Sequence, residues 1–184
     1  RRQRQMCIRD SHISQISSAK SVDVIKKRKE EVKFTTGVSI NNLSLNENDI
    51  GDFRTFLKLS PPLRTEYDRT ELITAINKDL IDVIVSDHKP EDEESKRLTF
   101  SQAATGASGI ETLLPLALEL FHNESIKLYK IIELVTSNPA KILKINKGNL
   151  GIGSDADFCI VDLYKPWIVK KDKLISKSKN TCIE

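Results

Sequence analysis

Asp87 and His88 stand side by side directly after Ile81-Asp82-Val83-Ile84-Val85-Ser86, a short β-branched run of the kind that forms strands buried on both faces. A carboxylate in that place can ligate a cation and accept a proton from bound water, while the neighbouring imidazole can donate a hydrogen bond to an anionic substrate or a developing oxyanion. The same dipeptide can equally be a turn-forming aspartate with a surface histidine. Arg64, in Pro61-Pro62-Leu63-Arg64, is a candidate for binding a carboxylate and ranks below Asp87. His122 reads as a solvated residue at a helix end. Cys7, Cys159 and Cys182 are scattered with no CxxC pair, which argues against a disulfide framework or a thiolate zinc site and fits a reducing cytoplasm.

Elements must place these groups. Ser17 to Lys33 carries Val22 and Ile25 on one face and lysines and glutamates on the other, which predicts an amphipathic surface helix. Phe34 to Val38 is β-prone, and the polar, Asn-rich stretch from Asn41 to Ser60 predicts a long shaped loop. Thr65-Glu66-Tyr67-Asp68 matches a capping-box start, with Leu72, Ile73, Ile76 and Leu80 supplying the apolar stripe behind it. After the strand that ends at Asp87 come a charged loop to Gly109 and helices over Glu111 to Phe121 and Leu128 to Val135. Asn138-Pro139 is expected to open a further helix as N-cap and first residue. Strand alternating with helix predicts an α/β architecture with a parallel sheet. From Gly148 onward glycines punctuate turns, and Phe158 to Leu163 reads as a strand, so the expected division is a first unit over 11–146 and a small β-rich piece over 147–184.

Charge and length exclude some functions. The chain has 184 residues, 29 Lys+Arg against 26 Asp+Glu, a formal net charge of +3 and 39% hydrophobic residues. No block of like charges marks a nucleic-acid binder, and no apolar run approaches the roughly 20 residues needed to span a bilayer. Arg1, Arg2, Arg4 and Arg9 hold the basic excess, and without residues 1–10 the chain is formally neutral. Met6-Cys7-Ile8-Arg9-Asp10 reads like the translation of a transposon-end sequencing adapter. The first ten residues are therefore expected to be adapter-derived, or else a basic frayed tail.

The strings LSPPLRTEYDRTELITAI, IDVIVSDHKPEDEESKRLTF, GASGIETLLPLALEL, TSNPAKIL and GNLGIGSDADFCIVD, in that order over roughly Phe34 to Asn180, resemble the dihydroorotase family of the amidohydrolase superfamily. The resemblance implies the C-terminal portion of a metal-dependent (β/α)8 TIM-like barrel plus part of a small β domain. It implies reversible conversion of dihydroorotate and water to N-carbamoyl-aspartate in pyrimidine biosynthesis, with one or two zinc ions. By the same resemblance Asp87 is metal ligand and general acid/base, His88 contacts substrate, and Gly106 in TGASGIET brings its backbone to the substrate ring. His12, in Ser11-His12-Ile13-Ser14, resembles the strand-end metal histidine of an HxS motif, with a frayed terminal histidine as the alternative.

Several positions depart from the family pattern. Asn41-Asn42-Leu43 stands where active members carry histidine before leucine, and asparagine is a poor zinc ligand beside imidazole. Ser60 replaces an asparagine before the double proline, and Glu91 replaces the second histidine of an HxPH pattern, with Lys89 or Arg97 as the residues placed to offset its charge. The family's HxH pair and bridging lysine or acid have no counterpart in this chain, so the chain alone is expected to be inactive. Two classes of function follow: a divergent dihydroorotase, or a non-catalytic dihydroorotase-like scaffold partnering aspartate transcarbamoylase. A hydantoinase- or allantoinase-type cyclic-amide hydrolase is a third. The expected location is cytoplasmic, with a homodimer among the expected states of the full-length protein and neither nucleic acid nor membrane as partner.

Overall fold

A computed structural model describes residues 11–183; the adapter-derived tail expected over residues 1–10 lies outside them. Three strands, β1 (Ser11–Ile16), β2 (Phe34–Ser39) and β3 (Val83–Val85), form a parallel sheet in the order β1-β2-β3. Helix α1 (Ala19–Arg28) joins β1 to β2, while α2 (Ile40–Ser44) and α3 (Glu66–Asn77) lie between β2 and β3. The short α4 (Glu93–Lys96) follows the Asp87-His88 loop, and α5 (Leu113–His122), α6 (Leu128–Val135) and α7 (Ser137–Leu143) complete the helices.

The middle strand explains the layering. Val38 of β2 is fully buried and packs with Ile16 and Ile84 from the flanking strands, Val22 and Ile25 of α1, Leu72 and Ile76 of α3, and Ile131 and Leu134 of α6. Helices thus cover the sheet as parallel pairing requires. At the β1–β2 seam a Cβ on Gly37 would sit 2.5 Å from the Ser14 carbonyl oxygen, so only glycine fits there. Asp82 lies just below β3, where its carboxylate takes the Thr36 backbone N–H at 2.7 Å and pairs with Lys29 at 2.9 Å.

Thr65 caps α3 by accepting from the Asp68 N–H, and the Asp68 carboxylate accepts from the Ala19 N–H at 2.8 Å. The first turn of α3 therefore also satisfies an orphan donor of α1. The expected loop over Asn41 to Ser60 opens with the helical turn α2, because the Ser39 hydroxyl accepts from the Asn41 N–H. It continues through 3-10 turns at Glu47–Ile50 and Thr55–Leu57.

Two expectations are corrected. Helix α7 begins at Ser137 after Thr136, and Asn138 donates its side-chain amide to the Asp82 carbonyl at 3.0 Å rather than capping the helix. Phe158 to Leu163 forms no strand, nor does any segment of 147–183 among the described residues. Phe158 and Ile160 face solvent, and an apolar run without a neighbouring strand has nothing to complete its ladder. Leu174, Asn180 and Thr181 near the chain's end are nevertheless buried, since the Ser108 N–H donates to the Asn180 carbonyl and the Ile175 and Ser176 N–H groups donate to Glu111. No helix is long and apolar enough to cross a membrane among the described residues.

Candidate active site

Parallel strands collect their chemistry at their C-terminal ends. Here those ends carry Gln15 on β1, Ser39 on β2 and, two residues beyond β3, Asp87. Asp87 is half-buried, with its backbone in the left-handed region at φ 49°. Asparagine and aspartate tolerate this conformation best among residues with a Cβ. The turn lifts the Asp87 carboxylate toward β1, where Gln15 Nε2 donates to Oδ1 at 2.7 Å. Burial pushes the Asp87 carboxyl above its ordinary range, against the opposing pull of the Gln15 hydrogen bond and the Lys89 charge.

His88 is exposed and fixed from behind. Its Nδ1 accepts from the backbone N–H of Gly109 at 3.2 Å and of Ile110 at 3.3 Å. Two donors on Nδ1 place the ring proton on Nε2, so the imidazole offers its outward nitrogen as a donor. Lys89 N–H bonds to the Ala107 carbonyl at 2.9 Å, closing the two loops on each other. Gly106 is buried at φ 140°, and a Cβ there would lie 2.6 Å from the Lys89 carbonyl oxygen. Its close approach is thus to the loop that holds Asp87 and His88.

Arg64 is exposed at the same end of the sheet, with Nε donating to Ser17 Oγ at a long 3.5 Å. His12 is elsewhere. It pairs in register with Thr35 near the start of β1, and its Nδ1 lies 2.7 Å from Thr35 Oγ1. That is about 10 Å of strand away from Gln15. The structure brings Asp87, His88 and Gly106 together and leaves His12 at the opposite end of the sheet. Gln15 is the residue that sequence reasoning missed, and the available signal was polarity: Ser17 and Ser18 start the next turn, so the strand's C-terminal residue is Gln15 or Ile16, not His12.

Asn41 and Asn42 are buried, and Asn42 donates to the Pro62 carbonyl at 3.1 Å, while Asn41 Nδ2 and Asn42 Oδ1 have no hydrogen-bond partner. Ser60 is exposed ahead of Pro61. Glu91 faces Lys89 at 3.8 Å, whereas Arg97 pairs with Glu93 and Glu94 and leaves Glu91 alone. Burial pushes the Cys182 thiol up to about 12, a shift that the Lys96 charge opposes and the Asp87 charge reinforces. It is not a thiolate nucleophile at neutral pH.

These residues do not by themselves fit a zinc ion. Zinc takes four nitrogen, sulfur or carboxylate ligands in structural sites and three plus water in catalytic ones. No group of three or more His, Cys, Asp or Glu converges among the described residues. Asp87 has one oxygen engaged by an amide, and Nδ1 of His88 is filled by backbone donors.

The profile of the amidohydrolase family matches residues 7–183. That span takes in Cys7 to Asp10 of the segment expected to be adapter-derived. Among curated proteins, the dihydroorotase of Ehrlichia canis (strain Jake) is 39% identical over 171 residues, covering 92% of this chain and 38% of its own length. The dihydroorotase of Aquifex aeolicus is 38% identical over 171 residues and is covered to 40%. The chain therefore spans about two fifths of the length of the curated relatives it matches. Among solved structures, an L-hydantoinase (dihydropyrimidinase) from Arthrobacter aurescens superposes with a TM-score of 0.74 at 27% identity, covering 79% of this chain and 34% of that one. A dihydropyrimidinase from Brevibacillus agri gives 0.72 at 25% identity, with the same shares covered. The open, alternating β/α sheet is thus part of the barrel of these amidohydrolase relatives.

Proposed function

Because the chain belongs to the amidohydrolase family, we propose that it is the C-terminal part of a dihydroorotase, which opens the ring of dihydroorotate with water to give N-carbamoyl-aspartate. The observation that carries this is the placement of Asp87 and His88 at the C-terminal mouth of the parallel sheet. The identity with dihydroorotases supports the substrate, being 39% for that of Ehrlichia canis against 27% for the L-hydantoinase structure.

Ring opening breaks the amide C–N bond, adds the water oxygen to the carbonyl carbon and leaves a proton on the departing nitrogen. Asp87 is the group that carries that proton, from water to nitrogen, through Oδ2, since Oδ1 is held by Gln15. An affinity for protons above that of an ordinary aspartate suits both halves of the transfer. His88 donates from Nε2 to the substrate carboxylate or to the developing oxyanion. Gly106 holds the Asp87-His88 loop at its distance, and Arg64 is the candidate for the second anionic contact. Zinc, one or two ions with Asp87 and His12 as the expected ligands, enters through the family alone, and His12 would have to leave the far end of β1 to serve. A cytoplasmic location and a homodimer belong to the same proposal.

A second reading is favoured by the Gln15–Asp87 contact, because a carboxylate satisfied by an amide needs no metal. It is a non-catalytic, dihydroorotase-like scaffold for aspartate transcarbamoylase. Protein translated from the complete reading frame distinguishes the two. Dihydroorotate hydrolysis that disappears in Asp87→Ala supports the enzyme, and activity that survives that substitution removes Asp87 from its role. Co-purification with aspartate transcarbamoylase and no hydrolysis supports the scaffold.

A further inference from the structure

Gln15 carries no proton itself, yet it touches the central carboxylate. We infer that its side-chain amide occupies the position beside Asp87 where a cation would otherwise sit, so that the assembled protein holds at most one metal ion, on the free oxygen of Asp87. The inference rests on the hydrolase reading only for the identity of the site. The contact itself stands on geometry.

Gln15 is the last residue but one of β1, Asp87 follows β3, and β2 lies between them. Adjacent strands are about 4.8 Å apart, so the pair crosses the end of β2 like a tie. At 2.7 Å between Gln15 Nε2 and Asp87 Oδ1, the orientation of the amide is fixed by chemistry. Turned over, its oxygen would face a carboxylate oxygen with no proton between them, whereas the N–H gives a charge-assisted bond. The N–H takes one lone pair of Oδ1, and a cation between Oδ1 and the Gln15 side chain would have to occupy the space the amide fills.

Among the described residues nothing nearby restores a second ligand set. Nδ1 of His88 receives two backbone N–H groups, His12 lies at the base of the sheet against Thr35, and the Asn42 amide is turned to Pro62. Gln15 is accordingly a positioning residue: it holds Asp87 in its left-handed turn and leaves Oδ2 as the carboxylate oxygen free to ligate or to carry a proton.

The test counts metal. Protein translated from the complete reading frame, equilibrated with zinc and dialysed, is expected to retain no more than one zinc per chain by plasma mass spectrometry. Gln15→Met keeps the length of the side chain, removes the amide and is expected to retain the same number. Two zinc ions per chain in the unaltered protein overturn the inference, and so does loss of an ion in Gln15→Met, which would make the Gln15 oxygen a ligand. If Gln15→Met does not fold, the count on the unaltered protein decides alone. Dihydroorotate hydrolysis is read on the same samples. An inactive protein with one zinc or none sinks the hydrolase reading and leaves the inference standing, and an active one with two does the reverse.

Discussion

A half-buried aspartate in the left-handed region costs of order 1 kcal/mol in backbone strain, and the charge loses hydration as well. Asp87 accepts both, and the hydrogen bond from Gln15 offsets part of the loss. Asp87→Asn retains the side-chain shape and removes the proposed proton carrier. In the complete protein it is expected to lower dihydroorotate hydrolysis by about 10²- to 10⁴-fold, with the melting temperature little changed, and activity within a few-fold of the parent would contradict the role. His88→Ala would strip the acceptor from the Gly109 and Ile110 N–H groups. Denaturant titration should show a loss of about 1 kcal/mol, the lower end for an unpaired polar group, since Ile110 is exposed to water. Asp87-His88 was legible in the sequence because a β-branched run ends there. Gln15 was not, because an amide carries no titratable signal and its meaning arises only from a contact across 72 positions between two strands. His12 attracted attention as an imidazole, and strand polarity moved it to the wrong end.

The sequence read some elements well where local chemistry decides them. Thr65-Glu66-Tyr67-Asp68 marked the start of α3 because a hydroxyl capping an N–H three residues on needs no tertiary context. Asn138-Pro139 misled for the converse reason: the amide is recruited by the Asp82 carbonyl, 56 positions away. At α3 the Arg69 guanidinium and the Asn46 amide hold the Glu66 carboxyl down at about 2, from an ordinary 4.5. A depressed carboxyl stabilises the fold above its unfolded value and loses that contribution as pH falls through its folded one. Wild type should therefore exceed Glu66→Gln in unfolding free energy above about pH 5, and the gap should close as pH falls from 4.5 toward 2. The carboxylate is about half exposed, so solvent screening reduces the difference to about 0.5 kcal/mol. Thr65→Ala should cost about 1 kcal/mol through the lost cap. Equal stability of wild type and Glu66→Gln across this range would mean that the ion pair contributes nothing.

At the scale of the molecule the sheet is open among the described residues. β2 is paired on both sides, but β1 pairs only with β2, and Ile13 on β1 and Val24 on α1 are exposed at 41% and 60%. An edge strand of a parallel sheet whose side chains meet solvent is a template for association, because barrels remove such edges by closing on themselves. The alternation of strand and helix made the parallel α/β class legible. Closure would need strands beyond the three among the described residues, and the chain spans about two fifths of the relatives' length. The Phe158–Leu163 run has a strand-like pattern, but no strand lies beside it to complete a ladder. Residues 11–184 produced alone are therefore expected to self-associate and to lose helical circular dichroism over a broad range of temperature. Sedimentation as a monomer together with a sharp cooperative melt would show that α1 and the β1 edge need no further cover, and that the open sheet is a complete folding unit.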